Sequence, residues 1–205
     1  MKHRRLLVVL LTTIALSCGY ALWKLESSSN DVPKGMVEDD SLYVNEGIGL
    51  EMPIPTGWSQ LPSEEMPNGR RPNEEISKPT SGWVSLFGMT NESDGRSADL
   101  VIAAARNRKG NQWKERNIEE AMAAYTDSAA RRRGLRTTHR IEDLFLDNLP
   151  ASHIEFILES SRGTSSMIDH YYVSREEYVV LVVSVCADLT SCEEAREVVR
   201  SIRFP

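Results

Sequence analysis

The chain has 205 residues, a formal charge of -6 at neutral pH, 40% hydrophobic and 26% charged residues. Such a composition excludes a largely disordered chain, which lacks the apolar residues to form a core, and a polytopic membrane protein. The acidic balance argues against a nucleic-acid partner, because an acidic surface repels phosphate and forfeits the counterion release that drives such binding.

The first element is an address. Lys2, His3, Arg4 and Arg5 make a positive start, and Leu6 to Leu16 follow as an apolar run broken only by Thr12 and Thr13, the layout of an export signal. Ala15-Leu16-Ser17-Cys18 resembles a bacterial lipobox, with Cys18 as the residue to be lipidated, although Ala15 stands where leucine is usual. A second reading extends the apolar run through Trp23 to about 18 residues, enough for an uncleaved membrane helix with Trp23 and Lys24 at the interface. Simple cleavage and release is the third. Residues 1–23 are thus a signal peptide, a lipoprotein signal or an anchor, and in each case the rest of the chain is expected outside the cytoplasm, on the periplasmic or cell-surface side.

Residues 24–40 read as a flexible tether, because Glu26 to Asp40 is rich in Ser, Asp and Glu with Pro33 and Gly35. One globular domain is expected over 41–205. Leu42 to Pro55 reads as strands, with Ile48, Leu50 and Met52 alternating against Gly49 and Glu51. The turn Pro53-Ile54-Pro55-Thr56-Gly57-Trp58 follows, and Trp58 is expected to close one end of the core. Gln60 to Gly82, rich in Pro, Glu and Asn and containing Arg70-Arg71, reads as a long surface excursion.

Trp83 to Met89 and Leu100 to Ala105 read as the next strands, joined by a polar loop from Asn91 to Ser97. A helix is expected over Ile118 to Arg133, with Ile118, Met122, Tyr125 and Ala129 on one face, Asn117 and Glu120 at capping-box spacing and Gly134 as its stop. Arg131, Arg132 and Arg133 meet the negative end of its dipole; the alternative is a patch for an anionic headgroup or an acidic partner. His139 to Leu146, Ser152 to Leu158, Ser166 to Val173 and Tyr178 to Val185 then form an expected antiparallel meander. Ser191 with Glu194 has the spacing of a second capping box, opening a final helix whose Cys192, Ala195, Val199 and Ile202 share a face, and Phe204 is expected to tuck back.

With Cys18 assigned to the address, Cys186 and Cys192 remain as an even pair, expected as a disulfide across a short strand-to-helix loop; two separate buried thiols are the alternative. Their spacing rules out a CxxC redox motif.

In order, these features resemble the PsbP-like and Mog-like superfamily, which includes bacterial envelope proteins of the DcrB type. An opening strand leads into Met52-Pro53-Ile54-Pro55-Thr56-Gly57-Trp58. A helix with a mid-face Tyr follows, then a hairpin around Asn148-Leu149-Pro150-Ala151, where Asn148 replaces the usual glycine. An aromatic strand, Asp169-His170-Tyr171-Tyr172-Val173, precedes an apolar strand, a helix and the closing Ser201-Ile202-Arg203-Phe204. The resemblance implies an α+β fold, an antiparallel β-sheet flanked by helices in an α/β/α sandwich. It also implies an accessory, chaperone-like or partner-binding role, or immunity against a secreted toxin, generally without an active site.

The residues themselves offer little catalytic chemistry. There is no Gly-x-Ser-x-Gly elbow, no Cys/His arrangement with an activated thiol and no phosphate-binding loop. A hairpin turning about Ser161 and Arg162 would set His153 opposite His170 with Glu155 beside His153, the kind of two-His, one-carboxylate cluster that binds zinc; ordinary histidines are the rival reading. Asn91-Glu92-Ser93 matches a glycosylation acceptor, a three-residue match common by chance. The expectation is a non-enzymatic, membrane-tethered module that needs no cofactor and binds another envelope protein through Gln60 to Gly82 or Asn91 to Asn111. An immunity protein and an envelope enzyme are the alternatives.

Overall fold

The computed structural model describes residues 32–62, 84–93, 96–106, 131, 136–159, 165–175 and 177–205. Three short strands, β1 (Met36–Glu38), β2 (Leu42–Asn45) and β3 (Leu50–Pro53), form a small antiparallel sheet in the order β1-β2-β3. β4 (Ser59–Gln60), β5 (Val84–Ser93), β6 (Arg96–Arg106), β7 (Arg136–Leu146), β8 (Leu149–Glu159), β9 (Ser165–Arg175) and β10 (Tyr178–Cys186) form a second, in the order β4-β5-β6-β10-β9-β8-β7. Every pair is antiparallel, and β7 to β10 make the expected meander. Helix α1 (Leu189–Arg200) follows β10 and packs across β10 and β6, touching β3.

The central strands are buried on both faces, which is why β10 reads as one continuous apolar run, Tyr178-Val-Val-Leu-Val-Val, rather than an alternation. On the α1 side, Leu100, Ile102, Val180, Val182 and Val173 join Val198 and Val199 of the helix and Tyr43, Leu50 and Met52 of the small sheet in one core. Tyr43 stacks on Phe87 with ring centroids 4.7 Å apart. Each such aliphatic side chain contributes roughly 1.5–3 kcal/mol on burial. Trp58 is half-buried and packs against this core and the smaller cluster around Cys186 and Cys192.

The turn Asp147-Asn148 explains why glycine is dispensable there. Both residues have positive φ, 46° and 65°, the mirror-image turn that matches strand twist in a two-residue hairpin, and Asp and Asn tolerate this region. Asp147 Oδ2 also accepts the backbone N–H of Phe204 at 2.6 Å, holding the chain end where it tucks back, with Phe204 buried. One residue earlier, Arg203 exchanges two backbone hydrogen bonds with Glu51 of β3, at 2.8 and 2.9 Å, tying the small sheet to the end of the chain.

Three expectations need correction. β1 lies inside the stretch read as tether; it pairs with β2 and packs Val37 against the core, while Met36 stays 65% exposed, so a strand precedes Ser41. The polar loop expected from Asn91 to Ser97 is mostly ladder, with Asn91 opposite Ala98 and Glu92 opposite Ser97, because partners in register outweigh weak strand propensity. The cap of α1 is Asp188, not Ser191. Asp188 Oδ1 accepts the Ser191 N–H at 2.9 Å and Ser191 Oγ accepts the Asp188 N–H at 3.3 Å, a reciprocal box that starts the helix one turn earlier. The expected helix Ile118 to Arg133 lies outside the described residues except for Arg131, which is helical and exposed.

Candidate functional site

Side-chain alternation puts Arg140, Glu142 and Leu144 of β7, His153 and Glu155 of β8, and Asp169 and Tyr171 of β9 on the sheet face that carries α1. In register, Glu142 opposes His153, which opposes Tyr171, while Arg140 opposes Glu155, which opposes Asp169. α1 covers β10 and β6 and leans Arg196 and Arg200 over this neighbouring surface. The result is a cavity of about 370 Å³ with an ionic floor and a wall formed by Leu144 and Leu146, with Phe145, which alternates to the other face of β7, at its edge.

Asp169 is the centre of the floor and is fully buried. Arg196 Nε donates to its Oδ2 at 3.0 Å, Arg196 Nη2 to its Oδ1 at 3.1 Å, His153 Nε2 lies 2.8 Å from Oδ1, and Ser184 Oγ donates to Oδ2 at 3.5 Å. Burial alone would raise the carboxyl pKa, but the hydrogen bonds from His153 and Arg196 hold it below the usual carboxylate range. The group is therefore an anion, and an anion only accepts, so His153 Nε2 carries the proton toward it. Arg196 also bonds Glu155 and Glu193, the latter at 2.9 Å. Its pKa is raised, first by the hydrogen bond to Asp169.

The His153 ring stacks on Tyr171 at 4.4 Å with planes 7° apart, which fixes its orientation. Its Nδ1 lies 3.9 Å from Glu142 Oε2, beyond hydrogen-bond reach. Burial, then the negative charge of Asp169, raises the Tyr171 pKa, so its phenol stays neutral. The floor is thus an ionic network centred on Asp169 and Arg196, in which His153 Nδ1 is not bonded to Glu142, while the wall is apolar and opens outward. Phe145 is 72% exposed. An exposed aromatic at the end of an edge strand is suited to anchoring a partner.

His153 and Glu155 come together as the sequence indicated, but His170 does not join them. The β8–β9 register pairs His153 with Tyr171 and Ile154 with His170, one residue away from the expected turn, and a one-residue slip sends a side chain to the opposite face. His170 is fully buried on that other face, with Nδ1 3.2 Å from Tyr172 Oη and no partner for Nε2 among the described residues. Burial drives its pKa down to about 3. The two-His, one-carboxylate cluster is therefore not formed, and among the described residues no group of three His, Cys, Asp or Glu is placed to hold a metal ion.

Cys186 and Cys192 are joined as a disulfide beneath α1, with Cα atoms 5.2 Å apart. Cys18 and Gln60 to Gly82 beyond Pro62 lie outside the described residues. Asp169, which the sequence presents as part of the aromatic strand, and Arg196 of α1 form the core of the site. The available signal was an acid inside a strand otherwise made of aromatic and aliphatic residues, which requires a buried partner.

This architecture defines an α+β protein of the PsbP/Mog-like fold. Solved structures with the same arrangement include the cyanobacterial PsbP protein CyanoP of Synechocystis sp. PCC 6803, with a TM-score of 0.54 over 88% of this chain and 99% of that one at 11% identity. A Bacteroides thetaiotaomicron protein gives 0.48 at 11% identity; the match covers 82% of this chain and spans about half, 49%, of that one. The Saccharomyces cerevisiae Ran-binding protein Mog1p gives 0.43 at 8% identity over 84% of this chain and 96% of that one. No protein-family model and no curated protein matches the chain. Among the described residues no helix is long and apolar enough to cross a membrane.

Proposed function

We propose that the chain is a non-enzymatic accessory module of the PsbP/DcrB type, tethered to a membrane outside the cytoplasm, which binds another envelope protein through the rim of the Arg196–Asp169 pocket. Residues 1–23 act as the address, with Cys18 as the lipidation site; a short tether follows, and the folded domain carries the function. The observation that carries the binding reading is Phe145, 72% exposed at the end of β7, at the edge of a cavity whose charges already pair with one another. Such a surface favours a partner that covers an aromatic anchor rather than a reactant that needs an unpaired catalytic group. The fold is compatible with this role but does not assign it. A Cys186–Cys192 disulfide fits an oxidising compartment.

One feature favours an enzyme as the second reading: His153 is oriented by a buried carboxylate, as a general base would be. An immunity protein against an envelope toxin is a special case of the binding reading, with the toxin as partner. The test is affinity capture of the full-length tagged chain from solubilised envelopes, compared with Phe145→Asp. A defined partner retained by wild type and lost with Phe145→Asp is expected. Equal recovery by both chains would contradict the assignment of the surface.

A further inference from the structure

His153 and Glu142 each keep one acceptor atom uncommitted. The His153 side chain is only 10% exposed and directs the proton on Nε2 to Asp169, which leaves Nδ1 as a lone-pair acceptor on a residue that lines the cavity. Glu142, opposite it on β7, bonds Arg140 through Oε1, while its Oε2 lies 3.9 Å from His153 Nδ1. Two acceptors cannot bond each other, and no donor among the described residues bonds either atom. A nitrogen about 2.9 Å from each fits between them. The nearby donors are spent or face solvent: Arg196 serves Asp169, Glu155 and Glu193, Arg140 serves Glu142, and Arg200 is largely exposed.

We infer that this pocket takes the side-chain ammonium of a lysine presented by the partner protein, its N–H groups shared between His153 Nδ1 and Glu142 Oε2. The inference rests on the proposed reading that a partner meets this face. An ammonium carries three donors and no acceptor on one atom, which rotates to suit two acceptors from different strands. Its charge is opposite to that of Glu142, so the bond to Oε2 is a charge-assisted one. Its four-carbon stem can lie along Leu144 and Leu146, which wall the cavity. A guanidinium is the poorer match, because its fixed planar fork suits the two oxygens of a single carboxylate. The stacked Tyr171 ring holds the His153 ring in place, so this acceptor is oriented before the lysine arrives.

Titration of the full-length protein in detergent micelles, with nitrogen-15 in its histidine rings, tests the site without the partner. The probe is n-butylammonium at pH 8, where a primary amine is still charged and an ordinary histidine is neutral. The His153 Nδ1 resonance reports whether that atom accepts a hydrogen bond. A saturable shift at roughly millimolar probe is expected. n-Butyltrimethylammonium, which has the charge but no donor, should leave the resonance unmoved, and n-butylguanidinium should bind more weakly than n-butylammonium. Glu142→Gln, at a partly exposed position, should weaken n-butylammonium about tenfold. The capture comparison of wild type with Phe145→Asp judges the partner reading separately: a captured partner without an amine site sinks only the present inference, and an amine site without a partner sinks only that reading. An unmoved His153 resonance with n-butylammonium, an equal response to the trimethyl probe, tighter binding of the guanidinium, or equal affinity in Glu142→Gln would overturn the inference.

Discussion

Arg196 grips Asp169 with two nitrogens, Nε at 3.0 Å from Oδ2 and Nη2 at 3.1 Å from Oδ1, and so attaches helix α1 to strand β9 through a charge that water does not reach. Removing Arg196 leaves the buried Asp169 charge with its bonds to His153 and Ser184 but without the guanidinium that offsets it. Arg196→Met should therefore cost about 3–5 kcal/mol in urea unfolding. Adding Asp169→Asn should recover part of that loss. Additive costs in the double variant would mean that the pair is not coupled.

His170 links burial to pH. Its folded pKa of about 3 lies below the ordinary value of 6.5, so between those limits the unfolded chain binds a proton that the folded chain refuses. Stability from neutral His170 is thus complete above pH 6.5 and is lost as pH falls toward 3. Between pH 6.5 and 4 the wild type should lose up to about 3 kcal/mol more than His170→Gln. Asp169 stays out of this window, because its depressed pKa acts only below its unfolded value of 3.8. Parallel stability–pH curves for the two chains would show that His170 does not titrate as its burial requires.

Much of the fold was legible because its elements carry strong local signals. The β-branched run of β10, the alternations before it and the order of the meander all follow from residue type. The site was half legible. His153 and Glu155 stood out, but the partner of His153 depended on a hairpin register that no side-chain pattern specified, and one residue of slip exchanged His170 for Tyr171. The role of Asp169 hid between Ile168 and His170 because a buried acid is intelligible only beside its cation, and Arg196 lies 27 residues away on another element. The cap of α1 failed for a simpler reason: Asp188 and Ser191 are both good caps, and their reciprocal bonding, with Asp188 outside, was decided by where β10 ends.

The Cys186–Cys192 disulfide closes a loop of sequence separation 6 at the start of α1. Replacing both with Ser should lower stability by about 2 kcal/mol through loop-closure entropy. The wild type should lose a similar amount in reductant, and the double variant should not respond. A wild type indifferent to reductant would indicate separate thiols.

The address predicts that Cys18→Ser abolishes incorporation of labelled lipid and leaves the folded domain intact. Lipid labelling that persists in Cys18→Ser would rule out this cysteine as the attachment point, and no labelling of the wild type would leave a membrane helix or a released chain.

The central claim is that the face around Phe145 meets a partner protein outside the cytoplasm. Site-specific photo-crosslinking from a photoreactive residue at position 145, in cells, tests it most directly. The expected result is a discrete adduct whose mass differs from twice that of the chain, absent when the probe stands at the exposed Leu189 instead. No adduct from position 145, or the same adduct from both positions, would contradict the account.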